Sequence, residues 1–292
     1  MNLTFLYRGT LSSCNYDCPY CPFAKHWESP AELAADRAGL DRFVEWVAGR
    51  TDDEIAILFT PWGEALVRKW YRDAVVFLSN LPHVRRVAVQ TNLSVDPRWL
   101  ADADPATAAL WCTYHPGQVG SSERAGRAAF LRRCRTLDEL GVRYSVGVVG
   151  RREHLGEIEA LRAELRPGVY LWVNAEKDEP GHDAAELVEA LTRVDPLFPT
   201  NLADHPSRGR ACRTGWDVFT VDASGDVRRC HFVDRVIGNL HDGTFPACRS
   251  RAPCPNATCG CHIGYVHLES LGLSETFGDG LLERVPAKPP GC

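Results

Sequence analysis

Apolar residues recur along the first two hundred positions in two alternating rhythms. Short, nearly continuous runs occupy residues 3–11, 54–60, 84–91, 108–114, 144–149 and 169–174, each of strand length. Between them lie longer stretches with helical spacing. One covers 31–49, with Leu33, Leu40, Phe43, Val44 and Val47 on one side, and others cover 67–81, 122–140, 154–165 and 184–194. Strands alternating with helices predict an α/β fold with a parallel sheet and crossover helices. Six units are too few for a closed eight-unit barrel. Functional residues of such sheets gather at the C-terminal ends of the strands, so residues 14–21, 62–64, Thr91, Asn92, His115, Gly150 and Asn174 should face one cavity.

From about Pro196 the rhythm breaks into prolines, an Arg- and Ser-rich loop and closely set cysteines, which places a boundary near residue 200. Two units are expected, 1–199 and 200–292. Within the second, a strand at 216–221, a turn at 222–226 and a return strand at 227–230 read as a β-hairpin, with Gly225 supplying a positive φ. The hairpin carries Cys212 before it and Cys230 at its end, so the two thiols should lie near one another. The stretch 262–268 alternates and reads as a strand returning over the cavity.

A chain of 292 residues can bury a sizeable core. Its net charge of −5 gives no basic footprint and argues against a nucleic-acid substrate. No apolar run reaches the length of a membrane span, and the N-terminus has no signal-peptide pattern, so a cytoplasmic location is expected. Twelve cysteines in a reducing compartment are better explained by metal than by disulfides.

Three of them, Cys14, Cys18 and Cys21, stand in the loop after the first strand with spacing Cys-x3-Cys-x2-Cys. An iron–sulfur cube takes four ligands, so a local set of three leaves one iron open. A zinc site or a disulfide is the alternative, but zinc usually pairs two Cys-x2-Cys units. With Tyr20 before the last cysteine, the motif resembles that of the radical S-adenosylmethionine (SAM) enzymes. The resemblance implies a partial (β/α)6 barrel, a [4Fe-4S] cluster on these three thiols, and SAM chelating the open iron. Electron transfer would then generate a 5′-deoxyadenosyl radical that abstracts hydrogen from substrate.

Other positions carry the same resemblance. Pro61-Trp62-Gly63-Glu64 resembles the family's Gly-Gly-Glu-Pro motif, which implies that Gly63 and Glu64 hold the methionine ammonium, although Trp62 stands in place of the first glycine. Val148 and Gly150 resemble the fifth-strand pattern near the adenine, Tyr20 is placed against the adenine, and Asn174 offers backbone hydrogen bonds. A helix N-terminus is the alternative for Gly63 and Glu64, and strand-end packing for Tyr20 and Asn174. His115 and Lys177, with Glu176 beside it, are candidates for moving a proton. Structural roles are the usual ones for such residues. Cys112 and Cys134 read as buried thiols.

Cys212-x12-Gly225-x4-Cys230 and the later Ile237-Gly238-Asn239-Leu240 resemble the twitch and SPASM extensions of the same family, which hold auxiliary [4Fe-4S] clusters. Seven thiols remain for this region, one short of two fully ligated cubes, so one auxiliary cluster is expected. Cys212 and Cys230 would hold it, with two of Cys254, Cys259 and Cys261; Cys248 and Cys292 are the remaining thiols. Zinc is again the alternative. The implied enzyme abstracts hydrogen from a small-molecule or peptide substrate, in an oxidation or crosslink assisted by the auxiliary cluster, with reduced flavodoxin or ferredoxin as electron donor. Epimerisation would need a hydrogen donor such as the thiol of Cys112 or Cys292. A non-catalytic zinc or iron–sulfur protein serving redox sensing or partner binding is the rival.

Overall fold

The computed structural model describes residues 1–23 and 26–287. Cys292 lies outside the described residues. The strands and helices of the first half are β1 (Asn2–Arg8), α1 (Pro30–Ala48), β2 (Glu54–Phe59), α2 (Lys69–Ser79), β3 (Val84–Thr91) and β4 (Ala108–Thr113). They continue with α3 (Glu123–Leu140), β5 (Arg143–Val149), α4 (Leu155–Glu164), β6 (Leu171–Asn174), α5 (Ala185–Val194) and α6 (Phe198–Leu202). All six expected strands form, in parallel, and each pairs with the next in sequence. Local chemistry sets the helix ends. Ser29 and Glu32 form a reciprocal capping box ahead of Pro30 at the start of α1, and Gly141 ends α3 with a φ of 69°.

The remainder comprises β7 (His205–Pro206), β8 (Val218–Asp222), β9 (Asp226–Cys230), β10 (Val233–Asn239), β11 (Thr258–Cys259), α7 (His262–Tyr265) and α8 (Leu273–Phe277). The predicted hairpin is β8–β9. It does not stand apart, because β8 pairs in parallel with the free side of β1, Leu6 opposite Thr220. The result is one open sheet in the order β10-β9-β8-β1-β2-β3-β4-β5-β6.

Alternate side chains divide the core between the two faces of this sheet. Phe5, Tyr7, Phe59, Val87, Leu110 and Val146 pack outward against Phe43 and the other helix residues. Leu6, Leu58, Ala88, Ala109, Trp111 and Trp172 face the concave side, where Ile263 and Leu282 of the C-terminal segment fill the space. Trp172 lies flat across β5 because residue 147 is glycine: a Cβ there would come within 1.9 Å of its ring. The stretch 262–268 is not the expected strand. It is fully buried and turns as the short helix α7, with Tyr265 N–H donating to Cys261 O at 2.9 Å and Val266 N–H to His262 O at 3.1 Å. A strand would leave its backbone groups to seek partners elsewhere in this apolar setting.

Beyond α8 the chain presses Glu283 beneath the sheet, fully buried, 2.7 Å from Arg143 and 3.6 Å from Arg86. Burial pushes its carboxyl up to about 7 against the pull of Arg143. A carboxyl that holds its proton more tightly when folded adds stability at low pH. That contribution falls as pH rises from about 4.5 to about 7, and the linkage amounts to about 3 kcal/mol. Half-buried His231 and buried His262 and His267, held neutral, act in the opposite direction over part of this range. Comparison with Glu283→Gln therefore isolates the effect: the stability difference between variant and parent, from urea denaturation, should shift in favour of the variant between pH 5 and pH 8. A difference independent of pH would rule this titration out.

Candidate metal centres at the strand ends

The chain leaving β1 is held from two sides before it reaches the first cysteine. Asp36, on α1 and fully buried, accepts hydrogen bonds from Thr10 N and Leu11 N (both 3.1 Å), Trp70 Nε1 (3.1 Å) and the Tyr71 hydroxyl (3.2 Å). Desolvation raises its pKa, and these bonds oppose the rise. Glu28 accepts from the backbone N–H groups of Ser12 and Ser13, and Arg68 donates to Ser13 Oγ at 2.9 Å. From the other side, Trp62 N–H and Gly63 N–H donate to Leu11 O, and Glu64 N–H to Ser13 O at 3.0 Å. Residue 63 must be glycine for this contact, since a Cβ would fall 2.0 Å from Ser13 O.

On this base sit Cys14, Cys18 and Cys21, all unlinked thiols, Cys18 the most buried. Cys14 Sγ accepts from Tyr16 N–H at 3.4 Å and from Asn92 Nδ2 at 3.8 Å, and Cys21 N–H closes a turn onto Cys18 O at 3.1 Å. Hydrogen bonds to ligand sulfur are among the features that tune a cluster's potential. Three cysteines on one loop supply the thiols that a three-thiolate site needs. Among the described residues, no group of three or more His, Cys, Asp or Glu is gathered for a single metal ion.

Glu64 lies directly beneath. Its carboxylate is buried and accepts from Thr91 Oγ1 (2.7 Å), Asn92 N–H (2.6 Å) and Leu66 N–H (3.0 Å). All three donors are neutral, and burial raises its pKa. It therefore does cap a one-turn helix, Ala65–Val67, and among the described residues no cationic side chain forms an ion pair with it. Trp62 is half exposed and carries the Arg8 guanidinium 4.0 Å above its ring.

Tyr20 and His115 come together as expected of strand-end residues. Their rings stack at 5.9 Å and the Tyr20 hydroxyl meets His115 Nδ1 at 3.0 Å, with Arg151 5.4 Å over the Tyr20 ring. Burial first, then nearby Cys18, pushes the Tyr20 hydroxyl well above its ordinary range. Arg151 also pairs with Glu176 at 3.0 Å. Gly150 N–H donates to Asn174 O at 2.8 Å, which occupies that strand-end carbonyl, and Asn174 Oδ1 accepts from Asn201 at 3.4 Å. Val148 is buried in the outward-facing core, with its side chain away from the concave face. Lys177 spends its protons on Ala203 O, Asp204 Oδ1 and Gly260 O, all within 3.0 Å, so it tethers the loop after β6 to the late cysteine segment. Cys112 and Cys134 are buried, as read.

The late cysteines divide. Cys212, Cys230, Cys254 and Cys259 lie within electrostatic reach of one another. Backbone bonds bring them there: Cys254 N–H donates to Arg210 O and Gly209 N–H to Cys254 O, while Cys259 pairs with His205 across β7 and β11. Phe232 N–H donates to Cys230 Sγ at 3.3 Å. Burial pushes the thiols of Cys230 and Cys259 up to about 11 and about 12, so a bound metal would be needed to hold them as thiolates. Cys261, at the start of α7, is within electrostatic reach of Cys259 and also of Arg8, Arg284 and Lys177. Cys248 lies apart, packed under Gly238.

Several solved structures share this architecture. AnSMEcpe, an anaerobic sulfatase-maturating radical SAM enzyme, with AdoMet and the Cp18Cys peptide bound matches at TM-score 0.53 and 14% identity, covering 84% of this chain and 79% of that one. Its polyhistidine-tagged form with AdoMet matches at 0.54 and 13%, covering 85% and 77%. The fold is that of the radical SAM partial barrel. A further match is BtrN in complex with AdoMet and 2-DOIA, at TM-score 0.41 and 19% identity, covering 85% of this chain and 86% of that one. No protein-family model matches the sequence, and no curated protein does. Among the described residues, no helix is long and apolar enough to cross a membrane.

Proposed function

We propose that the protein is a radical SAM enzyme, in which Cys14, Cys18 and Cys21 hold a [4Fe-4S] cluster. The observation that carries this reading is the three-thiol loop, fixed over the strand ends and placed above a buried carboxylate, Glu64, whose bonding partners are all neutral. When bound, cluster and SAM together supply an electron and a 5′-deoxyadenosyl radical that takes a hydrogen atom from substrate. The chain's own residues do the rest. Asp36, Glu28 and Gly63 hold the loop rigid, Glu64 offers the charge that an ammonium needs, and Tyr20 with His115 and Arg151 walls one side.

Cys212, Cys230, Cys254 and Cys259 are our choice of ligands for one auxiliary [4Fe-4S] cluster. Four thiolates saturate a cube, which favours a role in accepting an electron over one in anchoring substrate through an open iron. That favours an oxidation or an oxidative crosslink of a small molecule or peptide, with a flavodoxin or ferredoxin as donor of the first electron. His115 is the proton acceptor best placed for such a reaction, since Lys177 is fully engaged. An epimerase is the second reading, favoured by one observation: besides Cys259, Cys261 is within electrostatic reach of Arg8, Arg284 and Lys177. Cys112 is too deeply buried to give a hydrogen atom.

Iron and sulfide analysis after anaerobic reconstitution tests the assignment. The parent chain should bind about eight irons and the Cys14/Cys18/Cys21→Ala variant about four. Zinc in both proteins, with almost no iron, would rule out the radical reading.

A further inference from the structure

We propose that the concave face of the sheet, between Arg8 and Arg284, binds a carboxylate of the substrate. This deepens the proposed function and rests on it only in calling the ligand the substrate. Arg8 ends β1 on the same face as Leu6, over the ring of Trp62 at 4.0 Å, and its Nε is buried without a hydrogen-bond partner. Arg284 approaches the same space from the C-terminal segment. It is 1% exposed, stacked 4.4 Å over Trp172 and 5.6 Å over Trp111, and neither Nε nor Nη1 has a partner. Among the described residues, neither guanidinium has a carboxylate within ion-pair distance. Arg284 also has a φ of 58°, a left-handed conformation that is strained for a side-chain-bearing residue.

Buried polar atoms between the two arginines are likewise unmatched. His231 Nε2, His262 Nε2, His267 Nδ1 and Thr220 Oγ1 all lack hydrogen-bond partners. The groups lie in electrostatic reach of one another in sequence: Arg8 with His231, His231 with His267, His267 with His262, and His262 with Arg284. The void on this face, lined by Leu6, Trp111, His262 and His267, is about 10 Å³, room for one water and not for a carboxylate, so the carboxylate belongs at the Arg8 end and a water bridges it toward Arg284. An uncompensated buried cation is destabilising, and an anion offsets that cost. A guanidinium fork matches a carboxylate in shape as well as charge.

The test uses the full-length reconstituted protein with SAM present, at fixed ionic strength, and follows tryptophan fluorescence, because Trp62, Trp111 and Trp172 lie under the two arginines. The probes are citrate and a pentapeptide of Gly and Ala with its C-terminus free or amidated. A saturable response to citrate alone marks a small acid as the source of the carboxylate. A response to the free-acid peptide, absent with its amide, marks a peptide. Arg8→Gln and Arg284→Gln should each weaken that response by at least about tenfold, and Arg8→Lys should restore part of it. Circular dichroism establishes that each variant is folded, and Arg8→Gln decides the matter alone if Arg284→Gln does not fold. No saturable response, or one unchanged in Arg8→Gln, overturns the proposal. So does a loss of SAM affinity in Arg8→Gln equal to the loss for the probe, which would assign the arginine to SAM's own carboxylate. Failure of the radical reading is distinguishable, because it appears as missing iron and SAM binding while probe binding persists.

Discussion

Glu64→Gln should lower SAM affinity by about 10- to 100-fold while leaving the iron content at the parent's value. The buried carboxylate already accepts from Thr91, Asn92 and Leu66, yet none of those donors carries charge. A cationic ammonium is what the site lacks. A hydrogen bond to a charged group contributes about 1.5–3 kcal/mol, which sets the expected range. The amide is close in shape, but one of its ends is a donor, so it would face the Asn92 N–H or the Thr91 hydroxyl with the wrong polarity. A moderate loss of thermal stability should accompany the loss of affinity. Equilibrium dialysis with SAM and a thermal melt separate the two. If stability falls and SAM affinity is unmoved, Glu64 is only the cap of its one-turn helix.

The same residue shows how far the sequence could be read. Pro61-Trp62-Gly63-Glu64 was legible as a functional turn because of its place after the second strand. Its partners were not, because Thr91 and Asn92 reach Glu64 only through the pairing of neighbouring strands. Local periodicity specified all six parallel strands, and residues 84–91 form β3 from end to end. Non-local pairing escaped it. Nothing in the spacing of Cys212 and Cys230 indicates that β8 adds to the free edge of β1 and makes the late segment part of the same sheet. The alternation in 262–268 was misleading for a related reason. Period-two patterning reports a strand with one buried face, whereas this stretch is buried all round and satisfies its backbone internally as a helix. Asp36 and Glu28 looked like ordinary charges of an amphipathic helix and its approach. Their role in holding residues 10–13 follows from a loop folding back onto them, and no short-range signal announces it.

Single substitutions among the late cysteines should divide them into two classes, and here the expected effects are largest. Cys212→Ala, Cys230→Ala, Cys254→Ala and Cys259→Ala should each reduce the iron content from about eight to about four, abolish product formation and leave SAM cleavage at the N-terminal site measurable. Cys248→Ala and Cys261→Ala should keep about eight irons. The division follows from geometry. Cys259 is held in β11 against His205 and reaches Cys212, Cys230 and Cys254, whereas Cys261, which reaches Cys259, stands at the start of α7 with Arg8 and Arg284 near it. Stability should follow the same division, because β7, β11 and the segment around Cys254 are joined to the sheet by few backbone bonds, and shared ligands would clamp them together. Losing one ligand should lower the melting temperature of the reconstituted protein by several degrees and barely change that of the metal-free chain. Should Cys261→Ala lose half of its iron while Cys259→Ala keeps it, the ligand set is misassigned and Cys259 becomes the free thiol. If Cys261→Ala keeps its iron but stops the incorporation of solvent deuterium into product, the free thiol is the hydrogen donor and the enzyme is an epimerase.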